Sequence, residues 1–259
     1  MTEIPGGPEW LAALPGLVAE CVEQWSLELD EPIDTGHSFV APAGDVFLKL
    51  SLPDEESEHE AEALAQWNGV GAVQLVARDD ERRAMLVERL RPATRLWALP
   101  DDEATEIAAG VLEALWVSAA EPFRRLEDAA ARWAEELPRR GLDRELVEPA
   151  VAFLREAGPT QRECLLLHQD LHGGNVLLSE RGWLAIDAKP LVGEREFDVA
   201  SLIRDRRPTS KGRMERRLAF LVDRLQLDPE RTRGWAIAHA IAWNGDAEMI
   251  ECARYLSAA

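Results

Sequence analysis

The chain has 259 residues, 46% of them hydrophobic and 30% charged, with a formal net charge of −19. That length and balance suit one large globular domain or two lobes with ample core. The acidity argues against a nucleic-acid surface, which needs a basic face, and no run of about 18 apolar residues is present to span a membrane.

The first ten residues, MTEIPGGPEW, lack the basic and apolar regions of a signal peptide. Cys21, Cys164 and Cys252 form no metal spacing and cannot all pair, so a reducing cytoplasm is the expected location. Pro8-Glu9-Trp10 starts a helical pattern running to about Leu27. Pro15 is expected to break or offset it. Asp34 to Val40 reads as strand, turn, strand. There Gly36 and Ser38 are candidates for presenting backbone N–H groups to a phosphate, and an ordinary hairpin turn accounts for them equally well. No G-x-x-x-x-G-K-[ST] occurs, which excludes a P-loop NTPase.

Val46 to Leu50 is a strand whose alternation puts Lys49 on the face of Phe47. The chain has only three lysines, Lys49, Lys189 and Lys211, and one of them lies inside this apolar run. A buried ammonium needs an anion. The next helix is expected to open at Pro53-Asp54-Glu55-Glu56. Glu60 shares its apolar side with Leu64 and Trp67 at i+4 and i+7, so Glu60 is the expected partner of Lys49. Glu58 and Glu62 are the alternatives. Ala72 to Ala77 and Ala84 to Leu90 read as two further strands. After Arg91-Pro92 the pattern turns helical, a natural lobe boundary.

Asp101 or Asp102 is positioned to cap a helix carrying Ile107, Val111, Leu112 and Leu115. Pro122 is expected to open the next helix and Asp143 to cap a third. The stretch Leu165–Asp187, LLLHQDLHGGNVLLSERGWLAID, then holds an apolar run, a polar loop and a hairpin. Gly173-Gly174 is expected to let the loop turn sharply. The hairpin should bring Asp170, before it, next to Asp187, after it. Asp170, Asn175 and Asp187 are oxygen donors, a set that suits a hard cation such as Mg²⁺. His168-x-Asp170 followed by Asn175 has the spacing of a phosphoryl-transfer catalytic loop, H-x-D-x-x-x-x-N. His168 is read as a prop for this loop. A transition-metal hydrolase built on His168, Asp170 and His172 is a rival reading that lacks further ligands. Asp198, near the start of a helix from Glu196 to Ile203, is read as a cap or a brace for a loop. Helices over Lys211–Leu225 and Pro229–Asn244, and a last one to Leu256, complete the pattern. Asp246 and Glu248 are candidates for facing a cationic ligand.

The segments VFLKL, HEAEALAQW, LVERL, LHQDLHGGNVLL and GWLAIDAKPLVGEREFDVASLIR resemble the aminoglycoside phosphotransferases, in particular the streptomycin 6-kinase and hydroxyurea phosphotransferase branch. The resemblance spans most of the chain, and Asp-x-Lys-Pro-Leu-Val-Gly-Glu is its most specific part. It implies an α+β, two-lobed protein-kinase-like fold. Residues 1–88 would form the nucleotide lobe and residues 89–259 the helical catalytic and substrate lobe. It further implies ATP and Mg²⁺ as cofactors, with a small-molecule hydroxyl as phosphate acceptor. By resemblance, Asp170 would orient or deprotonate that hydroxyl, and Asn175 and Asp187 would hold Mg²⁺. Lys49, braced by Glu60, would hold the nucleotide phosphates, and backbone near Glu88 and Leu90 would grip the adenine. A cationic acceptor such as streptomycin is expected, with hydroxyurea or another metabolite as the alternative. A nucleotide-binding pseudokinase would have lost one of Lys49, Asp170, Asn175 or Asp187, and all four are present. Two positions depart from the pattern. Ala188-Lys189 stands where Phe-Gly follows the metal Asp, which leaves Lys189 without a role. Gln169 stands where the family more often has Gly.

Overall fold

The computed structural model describes residues 7–36, 38–205 and 209–258, so His37 of the 34–38 turn lies outside it. Helix α1 (Gly7–Trp25) is continuous. Pro15 does not break it, because the residue sits on the exposed side, where water can take up the carbonyl that proline leaves without a donor.

Strands β1 (Ser38–Ala43), β2 (Val46–Ser51), β3 (Leu75–Asp79) and β4 (Ala84–Glu88) form an antiparallel sheet in the order β1-β2-β4-β3. The period of two divides its faces. Leu48, Leu50 and Leu86 pack with Trp10 and Cys21 under α1. Lys49 and its cross-strand partner Met85 point the other way, where Met85 joins the main core with Leu64 and Trp67. Ahead of β1 the chain doubles back. Asp30 donates to the Pro42 carbonyl and Ile33 to that of Val40, both at 2.8 Å.

Helix α2 (Glu60–Trp67) begins seven residues later than Pro53. The Asp54 carboxylate accepts from the amides of Glu56 and Ser57 at 2.8 Å and from the Ser57 hydroxyl at 2.9 Å, holding this stretch as a turn. The strand expected from Ala72 starts only at Leu75. Residues 71–73 leave the sheet and pair with Ala185 instead: Ala185 donates to Gly71 at 2.8 Å and Val73 to Ala185 at 2.9 Å.

After β4 comes a strand, β5 (Pro92–Arg95), where a helical pattern was expected. It pairs with β8 (Val176–Ser179), whose other neighbour is β9 (Gly182–Ala185). Helix α3 (Asp101–Leu115) has Pro100 at its N-cap; Asp101 and Asp102 lie inside the first turn, and Asp101 accepts from Arg217. The helix expected from Pro122 starts at Leu126 as α4 (Leu126–Glu136). Arg124 and Arg125 form β6 and pair in parallel with Leu191 and Val192 of β10 (Leu191–Gly193), which also pairs with β7 (Leu165–Leu167). Asp143 is the N-cap of α5 (Arg144–Ala157), but its carboxylate pairs with Arg254 and not with the helix amides. Helices α6 (Arg195–Asp198), α7 (Ala200–Ile203), α8 (Lys211–Leu225) and α9 (Pro229–His239) follow. A π-type turn (Ala240–Asn244) and α10 (Ala247–Ser257) complete the described chain. No described helix is long and apolar enough to cross a membrane.

Two glycines test the packing between α3 and the 71–73 segment. Gly71 has φ +73°, and a Cβ there would lie 2.9 Å from the Ala114 Cβ. Gly71→Ala should destabilise the protein by about 1–3 kcal/mol. Gly110 lies exposed within α3 with nothing near its would-be Cβ. Gly110→Ala should stabilise by about 0.5–1 kcal/mol. Urea unfolding of both variants checks the contrast; equal shifts would contradict it.

Candidate active site

Lys49 is the centre of a three-group charge cluster. Its Nζ donates to both Glu60 carboxylate oxygens and to Asp187 Oδ1, each at 2.7 Å. Lys49 is 9% exposed and Glu60 only 3%, which makes this a buried pair presented to a half-exposed Asp187. Burial alone would discharge the lysine, but Asp187 and Glu60 more than offset it and hold Lys49 above its ordinary range. Lys49 holds Asp187 well below the usual carboxylate range against the opposing effect of burial. Burial pushes Glu60 up, with Lys49 opposing. With all three in contact we take the ammonium and the Asp187 carboxylate as charged. Glu58 and Glu62 do not share this contact; Glu62 pairs with Arg78 at 3.2 Å.

The catalytic-loop residues are locked from below. The Asp198 carboxylate accepts from the amides of His168 at 3.2 Å and Gln169 at 2.7 Å and from the Trp116 indole at 2.9 Å. Asp198 is therefore a brace at the end of α6, as one of its two readings held, and not a helix cap. Burial raises it to about 6, with the Trp116 and backbone donors opposing. Gln169 has φ +66° and Asp187 φ +58°. Such left-handed backbone costs about 1–3 kcal/mol at a residue other than glycine and persists only where surroundings enforce it. Here the Gln169 side chain is fully buried and accepts from Arg124 at 3.0 Å.

His168 Nε2 lies 3.0 Å from the Ile186 carbonyl, and burial lowers its pKa to about 4. A neutral ring donating to that carbonyl ties the catalytic loop to the residue before Asp187. The Asn175 carbonyl accepts from the Ile186 amide at 2.9 Å, and the Asn175 side-chain amide donates to the Asp170 carbonyl at 3.1 Å. Asp170, Asn175 and Asp187 thus occupy one site. Burial raises the Asp170 carboxyl, His172 opposes, and Asp187 adds to the rise. His172 Nδ1 accepts from Gly174, which leaves Nε2 to carry hydrogen toward Asp170 Oδ2 at 4.0 Å. The hydrolase set His168, Asp170 and His172 does not assemble, since His168 is buried and spent on a carbonyl. Among the described residues no cluster of His, Cys, Asp and Glu could hold a metal. A carboxylate and an amide oxygen do suit Mg²⁺ when phosphate and water supply the remaining ligands. The bond from the Asn175 Nδ2 to Asp170 fixes the amide so that its oxygen is the atom left to present.

Three features went unread in the sequence. Trp97 stacks on His172 with ring centres 5.3 Å apart and donates to Asp205 at 2.7 Å, while Asp205 accepts from the Gly173 amide at 2.8 Å. A Cβ at Gly173 would meet Trp97 at 2.5 Å, and one at Gly174 would meet it at 2.7 Å. These glycines therefore serve close approach of the indole, not a left-handed turn. Lys189 Nζ lies 3.5 Å from Asp187 Oδ1. The rarity of lysine, which singled out Lys49, also applied to Lys189.

The remaining predicted residues sit further out. Ser38 begins β1, and its carbonyl accepts from the Thr35 hydroxyl. The Glu88 amide donates to Gln74 at 3.0 Å, and its carboxylate holds the Gln74 amide and Arg181. At that end of β4 the Glu88 amide is therefore engaged within the fold. Leu90 is buried in the main core. Asp246 is exposed and caps α10 through the Met249 amide at 2.8 Å, and Glu248 is exposed in the first turn of that helix.

His168 gives the site a pH signature. The unfolded chain takes up a proton at His168 near pH 6.5, whereas the native ring stays neutral down to about 4. Native stability should therefore fall as pH drops through this window, by about 1.4 kcal/mol per unit for this one proton. Asp198 contributes the opposite slope between about 4 and about 6, so the comparison must be between variant and parent. In His168→Gln the slope of unfolding free energy against pH should lose one proton's worth between pH 6.5 and 4. Parallel curves would contradict the assignment.

The profile of the aminoglycoside/hydroxyurea antibiotic resistance kinases matches residues 31–247. A streptomycin 6-kinase of Streptomyces griseus is 36% identical over 91% of this chain and 83% of its own length. A hydroxyurea phosphotransferase of Kitasatospora aureofaciens is 36% identical over 91% of this chain and 73% of its own. In fold, the chain is similar to an aminoglycoside phosphotransferase solved in ternary complex with AMP-PNP and hygromycin B. The TM-score is 0.65 at 14% identity, covering 95% of this chain and 97% of that one. The α+β kinase-like architecture agrees with that match, and the chain belongs to the aminoglycoside/hydroxyurea antibiotic resistance kinase family of small-molecule phosphotransferases.

Proposed function

We propose that the protein transfers the γ-phosphoryl group of ATP, with Mg²⁺, to a hydroxyl of an aminoglycoside such as streptomycin. The observation that carries this reading is the Lys49 ammonium held between Glu60 and Asp187, with Asp170 on the adjoining loop. A fixed, buried ammonium beside a carboxylate suits a nucleotide's phosphates and metal. Asp187 and the Asn175 amide oxygen would hold Mg²⁺, which when bound would supply positive charge to offset that of the phosphates. Asp170 accepts the proton of the attacking hydroxyl. Its raised pKa brings it nearer to the working range of a general base. The γ-phosphorus leaves the ADP oxygen as it joins the acceptor oxygen.

We take residues 1–88 as the nucleotide lobe and 89–259 as the catalytic and acceptor lobe. In this reading Ser38 belongs to the phosphate-side turn. The adenine grip attributed to Glu88 and Leu90 falls to the backbone around Leu90, since the Glu88 amide is engaged by Gln74. Asp246 and Glu248 offer negative charge to a cationic acceptor. Hydroxyurea is the second acceptor reading, favoured by a relative of that name at the same 36% identity as the streptomycin 6-kinase.

The test is ATP consumption with Mg²⁺ across streptomycin, other aminoglycosides and hydroxyurea. Asp170→Asn should lose turnover by about 10²–10⁴-fold while ATP binding survives. Full activity in that variant would remove the assigned base, and turnover on hydroxyurea alone would replace the acceptor.

A further inference from the structure

The proposed mechanism leaves Lys189 unused. Its amide donates to the His168 carbonyl at 3.0 Å, which roots it against the catalytic loop. Its side chain is 16% exposed, and its Nζ lies 3.5 Å from the same Asp187 oxygen that Lys49 holds at 2.7 Å. Two of the chain's three lysines therefore converge on one carboxylate oxygen, one from the sheet and one from the loop side. They are not equivalent. Both oxygens of Glu60 clamp Lys49. Among the described residues, the carboxylate within ion-pair distance of Lys189 is Asp187. The positive charge of Lys189 also acts on Asp170, which places it in the field of the reacting hydroxyl.

Once Asp187 turns to a metal ion, a largely buried Lys189 needs another anion. The anion that arrives is the phosphate chain, and the part of it that moves toward Asp170 is the γ-phosphoryl group. We propose that Lys189 is a catalytic residue that contacts the γ-phosphoryl oxygens and neutralises the charge spread over them during transfer. This rests on the phosphotransferase reading above. In the step, the bond from γ-phosphorus to the ADP oxygen breaks as the bond to the acceptor oxygen forms. The hydroxyl proton passes to Asp170, and Lys189 keeps its protons and forms no covalent bond. Lys49 then serves the phosphates that stay with the nucleotide, and Lys189 the one that leaves.

The experiment compares the full chain with Lys189→Gln and Lys189→Arg. Thermal unfolding is read first, followed by calorimetric affinities for ADP and for ATP, each with Mg²⁺ and with a chelator. Lys189→Gln should bind ADP like the parent and ATP roughly tenfold more weakly or worse, since a charged contact to the γ-phosphate is lost. Its turnover of ATP should fall by about 10²–10³-fold, and Lys189→Arg should recover part of both losses. Equal weakening of ADP and ATP would reduce Lys189 to a support for Asp187 and overturn the proposal. So would parental ATP affinity and turnover in Lys189→Gln. A parent protein that binds neither nucleotide would bring down the phosphotransferase reading itself, and this proposal with it. Loss of the native thermal transition in both variants would make Lys189 structural and would also overturn it.

Discussion

The ion cluster of Lys49, Glu60 and Asp187 is the constraint on which the rest of the structure depends. A buried ammonium is costly unless its partners are close and well placed. Meeting that condition fixes β2 against α2 and brings the segment after β9 up to both. The 71–73 segment helps by leaving its sheet to exchange hydrogen bonds with Ala185, two residues before Asp187. The four-stranded sheet and the β8–β9 hairpin are thus joined twice, by charge and by backbone. Glu60 is spent entirely on Lys49, whereas Asp187 is half-exposed and held through one oxygen. The cluster has a rigid side and an adjustable side, and the adjustable side is the one that would meet metal and phosphate.

A second constraint is the support beneath the catalytic loop. Asp198 holds two successive loop amides, the Ser201 hydroxyl donates to the Gln169 carbonyl at 3.1 Å, and Trp97 with Asp205 clamps the far end at Gly173. The bonds of Asp198, Ser201 and Asp205 go to backbone groups of the loop that carries Asp170. They determine where it stands, and in phosphoryl transfer positioning is most of what a protein contributes.

What the sequence revealed follows from the range of the interactions. Glu60 was legible because helical spacing put it on the face of Leu64 and Trp67, and both are buried as that spacing requires. The meeting of Asp170, Asn175 and Asp187 was legible because a hairpin is a local object. Strand β5 was not legible. Its four residues are all exposed and show no alternation, and it exists only because β8, some eighty residues on, offers an edge. Strand β6 has two residues and is defined wholly by β10. The late start of α2 depended on a side chain, Asp54, competing for amides that a helix would have used. The Trp97–Asp205 clamp and the Trp116–Asp198 bond join residues roughly a hundred apart, and no periodicity encodes such a pair.

Gln169 combines a left-handed backbone with a fully buried, bonded side chain. Its left-handed backbone is one that glycine adopts without strain, so glycine at this position would relieve the chain. What the glutamine provides is a side chain that reaches Arg124 of β6, where a glycine would reach nothing. Arg124 stands in the field of Glu55 and Glu56, and Glu56 accepts from the indole of Trp243 in the π-type turn. A residue next to Asp170 is thereby bonded to a guanidinium that lies in the field of Glu56, the acid that meets the helical segment just before Asp246. The catalytic groups are held by bonds that run down to α6 and across to α2. A separate line of interactions starts at Gln169 and runs through Arg124 toward the π-type turn. In the proposed reading, changes along this second line alter the acceptor's surroundings without moving Asp170.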